Sequence, residues 1–567
     1  MKLLNKIKLK LPLFFWADAA VILAIALPWF LKPGYLFFTD NVWGPNINLV
    51  WTDSWFIPNL LIKGLSFVFP VDLLEKVFIS AILTLILLGG QFLVKTVLEL
   101  SDKKDGAAVR VQGLIFVLSL FALFNPFVYD RALYGQFSIL AAYGCFLFAI
   151  TYLLRAGAIS GFKNLLPAAV FSGIALLFSI HFIFFLLCFY LLFLVGIFLN
   201  RQEIINAGNI KKLLLNLFFS ALIVLAINAN WLAALALQSS PLAGFVRQGI
   251  TRQDLVAFQT AGQTSFEVFA NVAMMSGFWG KEQLRYFDLT TAPGWQRSFI
   301  FLMPIIFYGI YLSFRKRCRT ERVLSAGLMI IFIAAVILAV GVKVPITRGL
   351  TFFLYDNLPL YKGLRESQKW VAVLIPIYLF YLTIGASRLV KTKIIINNLF
   401  ISGLILGAVI VMLAPALLWG FNRQAVPTPY PDDWHEVNSF LLSHSRQPGV
   451  CSNRILFLPW HMYMSFNWSG KIMANPAPTF FSCPVINGNN MEWGGIFDNS
   501  QNQDGQKISD WLLVGGLSGA PLVSDPAIQY IVLAKEVDWR NYSWLSYLPY
   551  LELVKETKTL IVYEIKY

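Results

Sequence analysis

Phe182-Ile-Phe-Phe-Leu-Leu-Cys-Phe-Tyr-Leu-Leu-Phe-Leu-Val-Gly-Ile-Phe-Leu199 runs from end to end without a charged residue. A helix rises about 1.5 Å per residue, so a run of this kind is built to cross most of the roughly 30 Å of hydrocarbon in a bilayer. Similar runs recur along the chain, at about 13–31, 77–99, 111–125, 137–154, 164–180, 213–236, 299–314, 322–341, 371–389 and 394–419. With 182–199 they make about eleven spans. The expected fold is therefore an all-α polytopic membrane domain over 1–420, followed by a different kind of domain over 421–567.

Composition agrees with this reading. Hydrophobic residues make up 57% of the chain and charged residues 13%, against roughly 25% charged in a soluble domain. Mean hydropathy is +0.66. The formal charge of +15 does not indicate nucleic acid, because the basic residues fall in short clusters between apolar runs and form no single patch. The clusters around Lys2/Lys6/Lys8/Lys10, Lys103/Lys104/Arg110, Arg201/Lys211/Lys212, Arg315/Lys316/Arg317 and Arg388/Lys391/Lys393 all fall on one side if the N-terminus is cytoplasmic. That bias predicts a multi-pass protein of the plasma membrane, N-terminus inside and C-terminal domain extracytoplasmic. Met1–Lys10 resembles a signal-peptide n-region, but no small-residue cleavage site follows it, so the first helix reads as retained.

Three outward loops are long enough to carry function: 32–76, 239–298 and 343–370. The first holds Trp51-Thr-Asp-Ser-Trp-Phe-Ile-Pro-Asn-Leu-Leu-Ile-Lys-Gly-Leu-Ser-Phe-Val-Phe, whose aromatics and aliphatics suggest a helix lying in the membrane interface. Beyond about Gly420 the prolines of Val426-Pro-Thr-Pro-Tyr-Pro mark a linker. Asp432-Asp-Trp-His opens a helix with acidic residues in its first turn. Arg454-Ile-Leu-Phe-Leu-Pro, Tyr530-Ile-Val-Leu-Ala and Thr559-Leu-Ile-Val-Tyr-Glu-Ile read as strands, which makes 421–567 an extracytoplasmic α/β domain. A Cys451–Cys483 disulfide is permitted there, and two free thiols fit the sequence equally well.

Asp40, in Tyr35-Leu-Phe-Phe-Thr-Asp-Asn-Val-Trp-Gly-Pro, lies where headgroups meet water. Aromatic neighbours at that depth raise a carboxylate toward the range useful for a general base; the alternative is a turn aspartate. Asp53, between Trp51 and Trp55, has the same ambiguity. Asp130 and Arg131 lie in a short outward link, Asn125 to Gln136, where adjacent opposite charges satisfy each other by default. Lys362, Arg365, Glu366 and Lys369 precede a span at an outward boundary, against the orientation bias; phosphate binding would explain the cations, and snorkelling to headgroups is the plainer account. Asp18, inside the first span, reads as solvated or hydrogen-bonded. His181, in a minimal turn, reads as headgroup-exposed. Leu456 to Tyr463 reads as a buried strand running into a loop that faces the membrane domain, where His461 and Tyr463 could reach an acceptor. No zinc-ligand spacing, phosphate loop or nucleophile elbow appears. No cofactor is therefore expected, and nothing indicates a divalent metal.

The segments Asn125-Pro-Phe-Val-Tyr-Asp-Arg-Ala-Leu-Tyr-Gly-Gln136, Gly363-Leu-Arg-Glu-Ser-Gln-Lys-Trp370 and the tail from Tyr530 to Val562-Tyr-Glu-Ile resemble the GT-C superfamily of membrane glycosyltransferases. Within it they are most similar to YfhO-like and arabinofuranosyltransferase-like proteins. The resemblance covers nearly the whole chain as architecture, on soft motifs. It implies an enzyme that moves a sugar from a polyprenyl-phosphate donor to an extracytoplasmic glycan, lipid or protein acceptor, with membrane lipids as its surroundings. Asp40 would then be the base, and Arg365 and Lys369 would neutralise the leaving phosphate. Two departures stand out: Asp40 is not followed by a second acid, and no W-W-D-Y-G signature is present. A lipid or polysaccharide transporter would show internal repeats and mid-membrane charges. A scaffold would keep Asp40 and Arg365 apart.

Overall fold

The computed structural model describes residues 13–101, 108–158, 162–199, 207–237, 251–291, 295–315, 319–358, 360–391, 403, 407, 417–444, 454–488, 492–493, 496–497, 503–515 and 528–566. The helices are α1 (Leu13–Phe30), α2 (Phe56–Ser66), α3 (Val71–Ser101), α4 (Ala108–Leu123), α5 (Pro126–Tyr134), α6 (Phe137–Ala158), α7 (Leu165–Phe178), α8 (Phe182–Leu199) and α9 (Ala207–Ile227), then α10 (Trp295–Phe314), α11 (Arg319–Val340) and α12 (Val371–Lys391) among others. Six helices among the described residues are long and apolar enough to span, and a seventh if α4 and α5, bent by 48°, count as one. Of the eleven expected runs, 13–31, 164–180 and 299–314 form shorter apolar helices. The run 394–419 lies largely outside the described residues, so the six or seven crossings are those of the described residues alone, by length and composition.

Close approach between α10 and α12 shows how tightly the bundle packs. A Cβ on Gly309 would sit 1.9 Å from the Tyr381 carbonyl oxygen, and one on Gly385 would sit 2.1 Å from that of Ile305. Small residues at such crossings let backbones meet where the surrounding lipid offers no hydrophobic drive. The spanning window of α12 is wholly buried, which makes it the central helix of the bundle. By contrast α2 exposes Leu61 and Leu65, and Phe67 and Val68 follow at its tip. The helix expected in the first loop is present there.

The C-terminal region contains a five-stranded sheet of order β4-β1-β7-β9-β8, with β1 Arg454–Leu458, β4 Val485–Ile486, β7 Ile528–Ala534, β8 Leu551–Glu556 and β9 Leu560–Ile565. Strand β1 runs parallel to β4 and β7, and β9 is antiparallel to β7 and β8. Successive side chains of a strand point to opposite faces, and here both faces are covered. Ile455, Phe457, Tyr530 and Val532 pack with Trp434, Val437 and Leu441 of α13 (Asp432–Ser443). Leu456, Leu458, Ile531 and Leu533 pack with Ile508 and Trp511 of α14 (Gln503–Leu513). Two-sided burial is why β1 and β7 read as continuous apolar runs and not as alternating ones. Short antiparallel pairs, β2 (Tyr463–Phe466) with β3 (Lys471–Ala474) and β5 (Glu492–Trp493) with β6 (Ile496–Phe497), complete the strands. Cys483 is disulfide-bonded; Cys451 lies outside the described residues.

The first loop is held from two sides. On one side the C-terminal region pairs with it: Tyr35 bridges Thr428, Lys471 Nζ donates to the Phe37 carbonyl at 2.8 Å, and the Ala474 N–H donates to the Thr39 carbonyl at 2.9 Å. On the other side the first turns of α3 grip it. Glu75 is fully buried and accepts from the Leu36 N–H at 2.8 Å and from Asn41 Nδ2 at 3.1 Å. Asp72 accepts from the Gly34 N–H at 3.1 Å, and Lys76 caps the Lys32 carbonyl at 2.9 Å. Glu75→Ala would strand a buried N–H and a carboxamide. A buried polar group left without its partner costs about 1–3 kcal/mol, so the variant should melt at a lower temperature than wild type and be cut faster by protease within 32–45. Unchanged proteolysis there would show that α3 does not hold the loop.

Candidate active site

Helix α5 is the platform of the site. Asn125 caps it by accepting from the Val128 N–H at 3.0 Å, Pro126 follows at the first helical position, and Gly135 ends it in a left-handed conformation, φ 89°. These are strong start and stop signals, and every residue between them is buried. The expected outward link is thus a buried helix. Gly135 is required for more than its turn: a Cβ there would lie 2.8 Å from the Asn41 nitrogen. The helix end and the first loop touch at this point, and the Asp40 N–H donates to the Tyr134 carbonyl at 2.9 Å.

The Asp40 carboxylate accepts from Gln136 Nε2 at 2.9 Å and from the Tyr463 hydroxyl at 2.8 Å. It is solvent-exposed, yet protein surrounds it densely enough to push it above its ordinary carboxylate value. Both hold if the carboxylate lines an open recess. Crowding is the largest influence; the two hydrogen bonds pull the other way, the Glu366 charge raises it further, and Arg285 lowers it. Arg285 lies with its guanidinium 5.8 Å from the Tyr134 ring and 5.7 Å from the Tyr463 ring. Its Nη1 is buried with no hydrogen-bond partner among the described residues.

Behind Asp40 lies a chain of buried charges. Gln136 accepts from Arg131 through its Oε1, and Arg131 also donates to Glu366. Arg131 is 1% exposed. Glu366 takes further bonds from Trp279 Nε1 and Lys369 Nζ, both at 3.1 Å. Burial alone would raise Glu366, but Lys369 and Arg131 outweigh it and hold the carboxyl well below its ordinary range. Lys369 lies 3.3 Å from His181. The His181 ring joins the Gly363 carbonyl at 2.6 Å and the Ser179 hydroxyl at 3.0 Å. The bond to Gly363 requires a proton on Nε2, so Nδ1 accepts from Ser179.

Several sequence expectations are corrected here. Arg131 pairs with Glu366, not with its neighbour Asp130, which instead accepts from the Tyr286 hydroxyl at 3.1 Å. His181 is partly buried inside the ion cluster and not displayed to headgroups. Arg365 sits 3.6 Å from the buried Asp254 and over the Phe258 ring, still near enough to Glu366 to act on its charge. Lys362 lies over the Tyr355 ring. Asp53 accepts from the Trp55 N–H at 3.1 Å, an Asx-type turn leading into α2. His461 lies 3.2 Å from Asp538 within the C-terminal region, and Tyr463 is the residue of that segment that reaches the site. Asp18 is hydrogen-bonded by Gln91 at 2.6 Å. Arg285 and Trp279 carried no sequence signal, since each is one polar or aromatic residue in a long loop. Gln136 closed a quoted motif without a role. Among the described residues no group of three or more His, Cys, Asp or Glu is placed to hold a metal.

His181 makes the cluster's electrostatics measurable. Burial, then the Lys369 charge, pushes it from 6.5 down to about 3. Between those values the unfolded chain binds the proton that the folded chain refuses, so stability is full above about 6.5 and falls as pH drops toward 3. His181→Asn keeps a polar group but does not titrate. The midpoint of thermal unfolding between pH 6.5 and 4 should therefore fall less steeply in the variant than in wild type. Equal slopes would place His181 in water.

No protein-family model and no curated protein matches the sequence. Solved structures do resemble the fold. The arabinofuranosyltransferase AftD from Mycobacteria superposes with a TM-score of 0.59 at 11% identity, over 97% of this chain and 41% of that one; this chain spans about two fifths of its length. ArnT from Cupriavidus metallidurans, in a structure bound to undecaprenyl phosphate, superposes with a TM-score of 0.50 at 11% identity, over 97% of both chains. At this identity the likeness is one of fold, and the chain has the fold of these two structures.

Proposed function

We propose that the protein is an integral membrane glycosyltransferase that takes a sugar from a polyprenyl-phosphate donor on the extracytoplasmic face. The observation that carries this reading is the pairing of an accessible carboxylate, Asp40, with a guanidinium whose Nη1 has no partner, Arg285. The likeness to ArnT, solved with undecaprenyl phosphate, supports the donor class. A glycan, lipid or peptide would serve as acceptor.

In this reading the acceptor hydroxyl enters the recess and bonds to Asp40. Its oxygen attacks the anomeric carbon while its proton passes to the carboxylate, and the bond from that carbon to the phosphate oxygen breaks with its electrons leaving on the phosphate. Arg285 meets the charge that grows there, with Lys369 and Arg131 behind it. Tyr463 and Gln136 hold the carboxylate in place, and their donated bonds offset part of the upward push from the crowding around it. Asp40 must be deprotonated to act, so the rate should fall as pH drops through its raised value.

Transfer from labelled polyprenyl-phosphate sugars in proteoliposomes tests the class: product from at least one donor supports it, and none from a broad panel counts against it. Asp40→Asn should reduce kcat by about 10²–10⁴-fold with little change in donor binding. Arg285→Ala should lower kcat by roughly 10²-fold or more; unchanged kcat would remove Arg285 from the phosphate.

The Cys483 disulfide and the basic-residue bias both support an N-terminus inside and a C-terminal region outside. Single cysteines placed at Lys163 and Tyr547 test it with an impermeant thiol reagent on intact cells. Tyr547→Cys should label and Lys163→Cys should not; labelling of both would contradict the orientation.

A further inference from the structure

Beside Arg131 lies a small cavity lined by Phe127, Asp130, Arg131, Ser276, Phe278 and Gln368, among others. Arg131 is 1% exposed and Gln368 is 2% exposed. The guanidinium lies over two rings, 4.3 Å from the centre of Phe278 and 5.7 Å from that of Phe127. Its Nη1 edge is committed to Gln136 and Glu366. Among the described residues, Nε and Nη2 have no hydrogen-bond partner, and neither does the oxygen or the nitrogen of the Gln368 carboxamide. Four orphaned polar atoms on two nearly inaccessible side chains thus belong to the lining of one space. The lining also includes Met275, which holds φ at 62°, a left-handed conformation that a non-glycine residue keeps only when its surroundings impose it.

Leaving such groups unsatisfied costs about 1–3 kcal/mol each, more for a charged one, so the cavity calls for a ligand. The cavity holds about 10 Å³, roughly the room of one water and far below the roughly 300–1,000 Å³ of pockets that take organic ligands. The lining offers donors from Arg131, acceptors from Gln368 and Asp130, and a hydroxyl from Ser276. An anion would meet the Asp130 carboxylate. A molecule that both donates and accepts, and is small, fits.

We infer that this cavity is a built binding site for ordered water, a single molecule bridging Arg131 to Gln368. The water tethers the Nε edge of Arg131 and so fixes the direction of its Nη1 edge toward Gln136, the residue that donates to Asp40. The inference does not depend on the glycosyltransferase reading, because the site is defined by burial and unpaired donors alone.

Two substitutions at Gln368 in the full-length protein in lipid nanodiscs test it, together with density at a resolution that shows water. In a hydrated site, Gln368→Ala leaves room for another water to take the place of the carboxamide, whereas Gln368→Leu fills that room with hydrocarbon and leaves Arg131 unsatisfied. Gln368→Ala should then melt above Gln368→Leu, by about 1–4 °C. In a dry site the order reverses, because Leu fills a space that Ala would leave empty. Water density within hydrogen-bonding distance of Arg131 and Gln368, with Ala the more stable variant, is the expected result. An empty cavity, or Leu the more stable variant, overturns the inference.

Discussion

Two opposite charges almost out of water, Arg131 and Glu366, set the terms for the rest of this site. A buried ion is tolerated only when it is paired and its remaining hydrogen-bonding capacity is met. Meeting that demand recruits residues from across the chain: Gln136 after α5, Trp279 from the long loop between α9 and α10, and Lys369 with His181 from the turns before α12 and α8. None of these is adjacent in sequence to its partners. The pair therefore acts as a meeting point that fixes where four segments sit, and Gln136, already bound to Arg131, carries that geometry to Asp40.

The C-terminal region is part of this arrangement and not an attachment to it. Lys471 and Ala474 bond to the backbone of the first loop, and Tyr463 supplies one of the two side-chain bonds to Asp40. With α3 gripping the same loop through Glu75, a segment that would otherwise move in solvent is held on two sides. Preorganisation of this kind is what a base needs if its own reorientation is not to add to the barrier.

The membrane character, the α/β nature of the C-terminal region and the importance of the 125–136 and 363–370 segments were legible in the sequence, because hydropathy, capping residues and out-of-place charges are local signals. The pairing of Arg131 was not. Sequence proximity favours Asp130, and only burial shows that the nearer carboxylate points to Tyr286. His181 was misplaced for a related reason: a two-residue turn between apolar helices looks like a surface feature until a third segment, carrying Gly363 and Lys369, packs over it. Arg285 could not be found at all. Its significance lies in the two tyrosine rings beside it and in a nitrogen left without a partner, and neither is written near it in the chain.

The central claim is that a phosphate leaving group lies beside Arg285 with Asp40 across the reacting carbon. Its most direct test is a structure of the protein in lipid with a polyprenyl phosphate bound. The account predicts phosphate oxygens within hydrogen-bonding distance of Arg285, with the Asp40 carboxylate opening onto the same recess. A headgroup held elsewhere, for instance against Lys362 and away from Asp40, would contradict it.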